Sequence, residues 1–243
     1  MNILSMTDIG LVREHNEDIC RSQVLGPSFG YGAVYDGMGG VQSGDVASAL
    51  AADLVDYTLQ RNLQWEMSDA AIQTTLTSAL LAANSTIHER SQQEEDLRGM
   101  GTTAAVAVLR GNQLFVAHVG DSRIYLFSGG RQIPLTKDHS VVQSMVDRGE
   151  ITEDEARIHP QKHYITRALG VDPTVDVDFD QFAVQETDRV LLCSDGLSNY
   201  FEQDMTELVE ACIQAGSPQQ LIDFANQQGG MDNITVVLMT QRV

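Results

Sequence analysis

The sequence has few cysteines, and this excludes several common kinds of site. Among 243 residues there are three, Cys20, Cys193 and Cys212. An odd number without Cys-x-x-Cys spacing argues against a disulfide framework and against a thiolate metal site. None of them has an arginine six positions later, as a cysteine-based phosphatase requires. The glycine-rich phosphate loop Gly-x4-Gly-Lys-Ser/Thr is also absent.

Long apolar segments are missing as well. No stretch approaches the roughly 18 uncharged apolar residues that a membrane span needs. The first eight residues lack the basic region and apolar segment of a leader peptide. The sequence therefore predicts a soluble, cytoplasmic protein without a membrane span, and it leaves open whether a membrane tail followed Val243.

Basic residues are scarce relative to acidic ones. Fifteen lysines and arginines against 34 aspartates and glutamates give a formal net charge of −19. Such a charge disfavours nucleic acid and anionic membranes as partners. If the substrate carried a phosphate, bound cations would have to invert the local field.

The hydrophobic pattern predicts a single domain, residues 1–243, in which strands and helices are both abundant. No internal repeat or linker interrupts it. Short apolar or alternating runs predict strands over 2–8, 19–25, 30–35, 104–109, 114–119, 123–127, 175–180, 189–194 and 234–239, with 175–180 at a sheet edge. Helical spacing predicts helices over 43–59, 68–90, 140–148, 204–212 and 217–228, and one beginning at Thr152. Thr152 with Glu155, and Ser217 with Gln220, are expected to form capping boxes at the starts of their helices. The helical segment at about 137–172, between two strands, is a candidate flap.

Three acidic residues lie beside glycine at the ends of apolar strands. Asp36 follows the run 30–35 and leads into a predicted glycine turn at Gly37, and Asp195 repeats this arrangement before Gly196. Asp232 follows two glycines and precedes the closing strand. Glycine permits close backbone approach to a ligand, and a carboxylate with an accessible carbonyl suits a hard cation.

If these strands share one core, their carboxylates converge, with Glu17, Asp18 and Asp121 as further candidates. Like charges at that spacing require compensation. Oxygen ligands without a histidine or cysteine cluster predict Mg²⁺ or Mn²⁺. Two such ions holding a phosphate and activating a bridging water would give in-line hydrolysis without a protein nucleophile. Arg13 offers a bidentate phosphate ligand nearby.

The order and spacing of these motifs resemble those of the type 2C metal-dependent serine/threonine protein phosphatases, most closely the compact bacterial members. The matching segments are 13–18, 34–40, 100–103, 119–123, 193–196 and 230–233, which together span nearly the whole chain. The resemblance implies an α+β fold. It is a four-layer α/β/β/α sandwich in which pairs of antiparallel helices flank two antiparallel sheets, with a small helical flap.

The resemblance also implies roles for individual residues. Asp36 would bridge two metals, with Gly37 contributing its carbonyl oxygen. Asp195 and Asp232 would complete the first metal site. Glu17 would hold the second metal mainly through water, and Asp18 would orient that water. Two further roles are implied: Arg13 would bind the substrate phosphate, and Asp121 with Asp195 resembles the third metal site of bacterial relatives.

Two positions depart from the family pattern and leave the general acid unassigned. Met38 and Val41 stand where relatives can have histidine. Water on the third metal is the first hypothesis for the acid, and His159 or His163 in the flap is the second.

Two alternative functions stay open at this point. One is a non-catalytic module that binds phosphoproteins, which should have lost metal ligands, although none is missing here. The other is a metal-dependent phosphatase for small metabolites, for which a deep closed pocket is expected. The chain is expected to be a monomer. The resemblance implies that its substrates are the targets of a bacterial serine/threonine kinase or belong to an anti-sigma-factor antagonist system.

Overall fold

The computed structural model describes residues 1–39, 43–201 and 204–241. Its strands are β1 Asn2–Asp8, β2 Asp18–Gly26, β3 Phe29–Met38, β4 Gly101–Thr102, β5 Ala104–Arg110, β6 Gln113–Val119, β7 Arg123–Ser128, β8 Arg131–Pro134, β9 Asp178–Ala183, β10 Arg189–Cys193 and β11 Ile234–Thr240. Its α-helices are α1 Gly44–Asn62, α2 Asp69–Gln93, α3 Val141–Asp147, α4 Glu153–Ile158, α5 Asp195–Ser198, α6 Thr206–Ala215 and α7 Gln219–Gln227. A 3₁₀ turn at Glu95–Leu97 follows α2.

The strands form two antiparallel sheets, as the sequence predicted. One has the order β1-β11-β10-β7-β8, and the other has the order β2-β3-β5-β6-β9 with β4 paired to β3. A shared apolar core lies between the sheets, while α1 and α2 cover the outer face of one and α6 and α7 that of the other. This arrangement is the predicted four-layer α/β/β/α sandwich.

Strand β5 shows how the sequence builds these layers. Ala104, Val106 and Val108 pack toward α1 and α2, whereas Ala105, Ala107 and Leu109 pack between the sheets. Successive side chains of a strand point to opposite faces, and here both faces are covered. This explains why the run is continuously apolar rather than alternating.

The two long helices confirm the prediction that they pack together on a sheet. Their buried positions include Val55 and Leu59 on α1 and Leu76 and Leu80 on α2. Ser68 caps α2 by accepting a hydrogen bond from the Ala71 N–H at 3.2 Å. These helices form the outer layer of the six-stranded sheet.

The predicted start of the last helix was wrong. Helix α7 begins at Gln219 with Pro218 at the N-cap and no side-chain cap, so the predicted capping box of Ser217 and Gln220 is not formed. Ser217 Oγ instead accepts from the Gln219 N–H at 3.2 Å.

The edge strand begins at Asp178 rather than at residue 175. The Arg167 guanidinium binds the Asp176 carbonyl oxygen at 3.2 Å, and pairing with β6 starts only where Asp178 lies opposite His118. The predicted edge position of this strand is confirmed.

The glycine turns predicted after Asp36 and Asp195 also differ from the structure. Strand β3 continues through Gly37 to Met38 because β4 pairs with this end. Asp195 starts the one-turn helix α5 instead of a turn. The short elements β4, β8 and α5 carry too few residues for their hydrophobic period to be read from the sequence.

The predicted flap contains α3 and α4 and lies between β8 and β9. Its base is closed by bridges between Ser140 and Ile165 and between Thr102 and Leu169. The predicted capping box of Thr152 and Glu155 at the start of α4 is confirmed. Among the described residues, no helix combines the length and apolar character that crossing a membrane requires.

Candidate functional site

Three acidic residues lie at the same end of three neighbouring strands in the five-stranded sheet. Cys193, the last residue of β10, lies opposite Val236 of β11 and Arg123 of β7. Asp195 follows β10 by two residues, Asp232 precedes β11 by two, and Asp121 precedes β7 by two. Antiparallel pairing therefore brings the three carboxylates to one edge, although 111 residues separate Asp121 from Asp232 in the sequence.

The other sheet contributes its acids at the same end of the sandwich. Asp18 of β2 lies opposite Asp36 of β3. The Gly37 N–H donates to the Glu17 carbonyl at 3.1 Å, which joins the two strand ends. Because Asp121 lies on the connection from β6 of one sheet to β7 of the other, it bridges both sets of acids.

Gly37 sits in a space that no side chain could enter. A Cβ atom there would lie 2.2 Å from the Gly44 carbonyl oxygen and 2.7 Å from that of Glu17. The Gly44 N–H, at the first turn of α1, hydrogen-bonds the Glu17 carboxylate. The helix N-terminus favours this negative charge, so α1 positions Glu17 at the site.

The electrostatics of the cluster show that its charges are uncompensated. Burial and the neighbouring Asp18 and Asp195 carboxylates raise the pKa of Asp36 well above its usual range. Burial and Asp195 do the same to the pKa of Asp121. Burial, with Asp195 and Asp232 adding to it, raises the pKa of Asp18 to about 7. Without cations to neutralise them, these carboxyl groups hold their protons to a higher pH than isolated carboxyl groups do.

The donor set fits divalent cations with oxygen ligands. Asp18 is 4% exposed, and its Oδ1 atom is buried without a hydrogen-bond partner among the described residues. Carboxylates and a backbone carbonyl are the ligands of Mg²⁺ and Mn²⁺. An unpartnered oxygen within an acidic cluster is what such a cation or its water would satisfy.

Arg13 lies at the mouth of this cluster. Its Nη2 atom donates to Asp232 Oδ2 at 2.7 Å, and its side chain remains half exposed. Both residues line a cavity of about 430 Å³ together with Glu17, Asp36, Asp121 and Asp195. The structure therefore brings Arg13 and the predicted acids to one pocket, with Asp18 beneath it.

The flap forms one wall of the pocket through His163 and Ile165. His163 Nδ1 lies 3.9 Å from Asp195 Oδ2. His159 is not among the pocket-lining residues, and its Nδ1 accepts from the Gln161 N–H at 3.2 Å. Of the two histidines proposed as the general acid, His163 therefore reaches the site and His159 does not. Met38 also lines the pocket, whereas Val41 lies outside the described residues.

Known proteins are similar to this chain in both sequence and fold. The model of the family described as Protein phosphatase 2C matches residues 12–228. The chain belongs to this family. The Listeria welshimeri protein named serine/threonine phosphatase stp is 37% identical over 242 residues, which cover 98% of this chain and 94% of that one.

Solved structures of 2C-family phosphatases superpose closely on this chain. The Mycobacterium tuberculosis serine/threonine phosphatase PstP/Ppp gives a TM-score of 0.84 at 36% identity, covering 98% of this chain and 97% of that one. The catalytic domain of PstP in complex with two manganese ions gives a TM-score of 0.80 at 35% identity, covering 98% of this chain and 96% of that one.

Several residues that support the site in this 2C-family chain carried no predicted role. Ser194 Oγ donates to Asp18 Oδ2 at 2.7 Å and accepts from the Thr235 N–H at 3.0 Å. Thr103 Oγ1 accepts from the Asp36 N–H at 3.0 Å. Each lies within or beside a matching motif, which is the signal that could have singled it out. Their small hydroxyl side chains gave no separate indication.

Asn233 joins its own loop, before β11, to the loop between β1 and β2. Its Oδ1 accepts from the Glu17 N–H at 2.9 Å, and its Nδ2 donates to the carbonyls of Ile9 and His15, both at 3.0 Å. The adjacent Asp232 is thereby fixed against the start of the chain. The sequence showed only that Asn233 follows an acid, so this role required the tertiary contacts.

The histidines near the flap base form a separate cluster. His118 and His139 stack at 4.7 Å, and His139 Nε2 lies 3.2 Å from Asp178 Oδ2. These three residues place potential ligand atoms within 4.8 Å of one another. However, Arg167 Nη1 already lies 2.6 Å from Asp178 Oδ1, so a guanidinium supplies the positive charge there. The sequence did not show this cluster, and its three residues do not line the pocket.

Proposed function

We propose that this chain is a metal-dependent protein serine/threonine phosphatase that hydrolyses phosphoserine and phosphothreonine. The observation that carries the proposal is the convergence of uncompensated carboxylates from both sheets beside one arginine in an open pocket. Half-exposed rim residues such as Arg13 give a folded protein access to this pocket. The names of the 2C-family relatives state the same activity.

The proposal assigns the metal ligands residue by residue. Asp36 and the Gly37 carbonyl would serve two Mn²⁺ or Mg²⁺ ions, with Asp195 and Asp232 completing one site and Glu17 and Asp18 supporting the other through water. Asp121 with Asp195 would hold a third ion. When bound, the cations neutralise the cluster, polarise the phosphate and activate water for in-line attack.

The protein's own residues orient the substrate. The Arg13 guanidinium has five N–H donors, and its ion pair with Asp232 uses only Nη2 among the contacts of the described residues. Its other donors are available to phosphate oxygens, so one side chain connects the phosphate to a metal ligand. The bidentate geometry fixes the direction of the phosphate relative to the acids.

The general acid has two candidates, and the structure supports a direct comparison. Asp121 would act through the third ion, and His163 would act from the flap wall. If His163→Ala leaves the pH profile of phosphothreonine hydrolysis unchanged, the flap hypothesis fails. If Asp121→Ala also leaves it unchanged, the hypothesis of water on the third metal fails as well.

The proposal includes a wider setting. The substrates would be proteins phosphorylated by a serine/threonine kinase, and the chain would act as a cytoplasmic monomer built as one catalytic domain with a flap at about 137–172. Three free cysteines, two of them buried, suit a reducing compartment. Light scattering would contradict the monomer if it gave twice the mass of 26.6 kDa.

The deciding experiment is hydrolysis of a phosphothreonine peptide with manganese, with EDTA, and with manganese plus Asp195→Ala. We expect activity that EDTA abolishes and that the variant reduces on the order of 10²-fold or more. Asp223→Asn, which alters an exposed carboxylate on α7, is the matched control and should retain activity. Tight phosphopeptide binding without hydrolysis would instead establish a binding module, and hydrolysis of small phosphates alone would indicate a metabolite phosphatase.

A further inference from the structure

Four large apolar side chains are exposed next to the catalytic pocket. They are Ile9, Leu11 and Val12 on the loop after β1, and Met231 on the loop before β11. We call these four residues the rim patch. Their exposed fractions are 38%, 67%, 54% and 59%. Single exposed apolar residues are common on protein surfaces, but a contiguous group beside a functional pocket marks an interaction surface.

The two loops that carry the rim patch are held together by direct contacts. The Leu11 N–H donates to the Gly230 carbonyl at 2.7 Å, and the Asn233 side chain donates to the Ile9 carbonyl at 3.0 Å. Gly230 has a φ of +51°, and a Cβ there would lie 2.8 Å from Leu11 Cγ. The patch is therefore a preformed surface, so binding to it requires little loss of loop entropy.

The rim patch is continuous with the pocket where the phosphate would bind. Met231 and Arg13 both line the pocket, and Val12 directly precedes Arg13. Consecutive residues of an extended chain are about 3.3–3.6 Å apart. If Arg13 holds the phosphate, substrate residues one or two positions from the phosphorylated residue fall on the rim patch.

The chemistry of the patch selects the chemistry of those substrate residues. None of its four residues is charged, and the chain carries a net charge of −19. Acidic residues beside the phosphate would gain no ion pair there and would meet a repulsive field. Apolar side chains would bury surface against Leu11, Val12 and Met231.

We propose that the rim patch is a specificity surface that receives apolar side chains next to the phosphorylated serine or threonine of a protein substrate. This inference rests on the proposed phosphatase function. It names the class of phosphorylated segment that the site favours, namely one with leucine, isoleucine, valine or methionine within two residues of the phosphate.

The experiment compares two phosphothreonine peptides that differ only in the two residues on each side of the phosphothreonine, leucine in one and serine in the other. Para-nitrophenyl phosphate, which has no flanking residues, reports on the chemistry alone. We expect the wild type to favour the leucine peptide in kcat/KM on the order of tenfold, mainly through KM. The double variant Leu11→Ser/Val12→Ser should lose most of this preference. Leu81→Ser, an exposed leucine on α2, is the matched control and should keep it.

A second variant tests the proposal by reversing the chemistry. Val12→Lys should raise the kcat/KM of a peptide with aspartate at the flanking positions relative to the leucine peptide. Since Val12 is more than half exposed, this change does not disturb the core. It therefore tests the patch even if the double variant does not fold.

The outcomes separate this inference from the proposed function. Unchanged peptide preference in both rim variants, with manganese-dependent hydrolysis retained, would overturn the specificity surface and leave the phosphatase. If the wild type hydrolysed no peptide in the presence of manganese, both the specificity surface and the proposed phosphatase function would be overturned. A wild-type dimer that Leu11→Ser/Val12→Ser converts to a monomer would assign the patch to a second copy of the chain instead.

Discussion

Asp18 is the most buried acid of the site, and its environment explains its behaviour. It lies 4% exposed beneath Asp36, with one oxygen bound to Ser194 and the other unpartnered among the described residues. Removal from water disfavours the charged form, which is why burial leads the causes that raise its pKa to about 7. In the metal-free protein this carboxyl group therefore keeps its proton below about pH 7, and a bound cation would favour its carboxylate form.

This residue makes the stability of the metal-free protein depend on pH. Its folded pKa is raised, so between about pH 4 and pH 7 the folded state keeps a proton that the unfolded state has released. The free energy of unfolding in EDTA should therefore fall as pH rises through that window, by at most about 1.4 kcal/mol per pH unit for one proton. Asp18→Asn should make this slope less steep by up to that amount, while the raised pKa values of Asp36 and Asp121 still contribute to it. Urea unfolding at several pH values measures the slope.

The control for that measurement is an acid whose pKa is shifted in the opposite direction. Hydrogen bonds from Thr206 lower the pKa of the exposed Asp204. Its contribution is present above the unfolded pKa and is lost as pH falls below about 4. Asp204→Asn should leave the slope between pH 4 and 7 unchanged. If Asp18→Asn also left that slope unchanged, Asp18 would not be the source of the pH dependence.

Gly37 is the second residue on which the site depends. Because a Cβ would lie 2.2 Å from the Gly44 carbonyl oxygen, Gly37→Ala must separate β3 from the start of α1. We expect about 1–3 kcal/mol of destabilisation and a larger manganese requirement for activity. Gly26→Ala, whose Cβ would meet only Phe29 Cβ at 3.6 Å, should change stability by no more than about 0.5 kcal/mol. Equal effects of both variants would show that steric exclusion at Gly37 is unimportant.

At the scale of elements, His139 connects the flap to the turn that carries Asp121. Its ring atom Nδ1 accepts from the Gly120 N–H at 3.0 Å, and the backbone N–H of His139 donates to the Gly120 carbonyl at 3.0 Å. Its carbonyl accepts from the Thr166 N–H at 2.7 Å, on the returning side of the flap. Burial and the stacked His118 lower the pKa of His139, which favours the neutral ring that this acceptor role requires.

We expect His139→Ala to loosen the Asp121 turn because it leaves the buried Gly120 N–H without an acceptor. The cost should be about 1–3 kcal/mol of stability, accompanied by a higher manganese concentration for half-maximal activity. His139→Asn, which restores an acceptor oxygen, should recover part of both, and His159→Ala should alter neither. A stability loss with an unchanged manganese requirement would reduce His139 to a packing residue.

At the scale of the whole molecule, the site joins the two sheets at one end of the sandwich. Asp18 and Asp36 belong to one sheet, and Asp195 and Asp232 follow or precede strands of the other. A ligand that binds both sets stabilises the fold against separation of the sheets. Binding only to the folded state contributes about 2.7 kcal/mol when the free ligand is at 100 times its Kd.

Manganese should therefore raise the Tm relative to EDTA by several degrees, since about 1 kcal/mol corresponds to roughly 2–4 °C for a chain of this size. The increase should be larger at pH 8 than at pH 5, because protonated acids in the cluster compete with the cation. Differential scanning calorimetry of the wild type and Asp195→Ala tests this. An equal increase in the variant would mean that manganese binds elsewhere.

Most of the fold followed from the sequence because its signals are local. The period of apolar residues predicted α1, α2 and the strands such as β1 and β5 to within a few positions, since long elements repeat their pattern several times. The apolar period placed the start of β9 three residues too early, because the contact of Arg167 with the Asp176 carbonyl leaves no periodic signal. It missed β8 because a strand of four residues is too short to repeat its pattern.

The sequence by itself determined which acids lie beside glycine and the net charge of −19, and from these it predicted an all-oxygen donor set and cations at a phosphate site. Only the tertiary structure decided which groups meet. It placed Arg13 on Asp232, His163 rather than His159 at the pocket, and Leu11 against Gly230. The reason is physical: residue type and period act over a few neighbouring positions. The contacts of Arg13 and Leu11 depend on pairing between segments more than 200 residues apart, such as β1 and β11, and that of His163 depends on how the flap folds against β10.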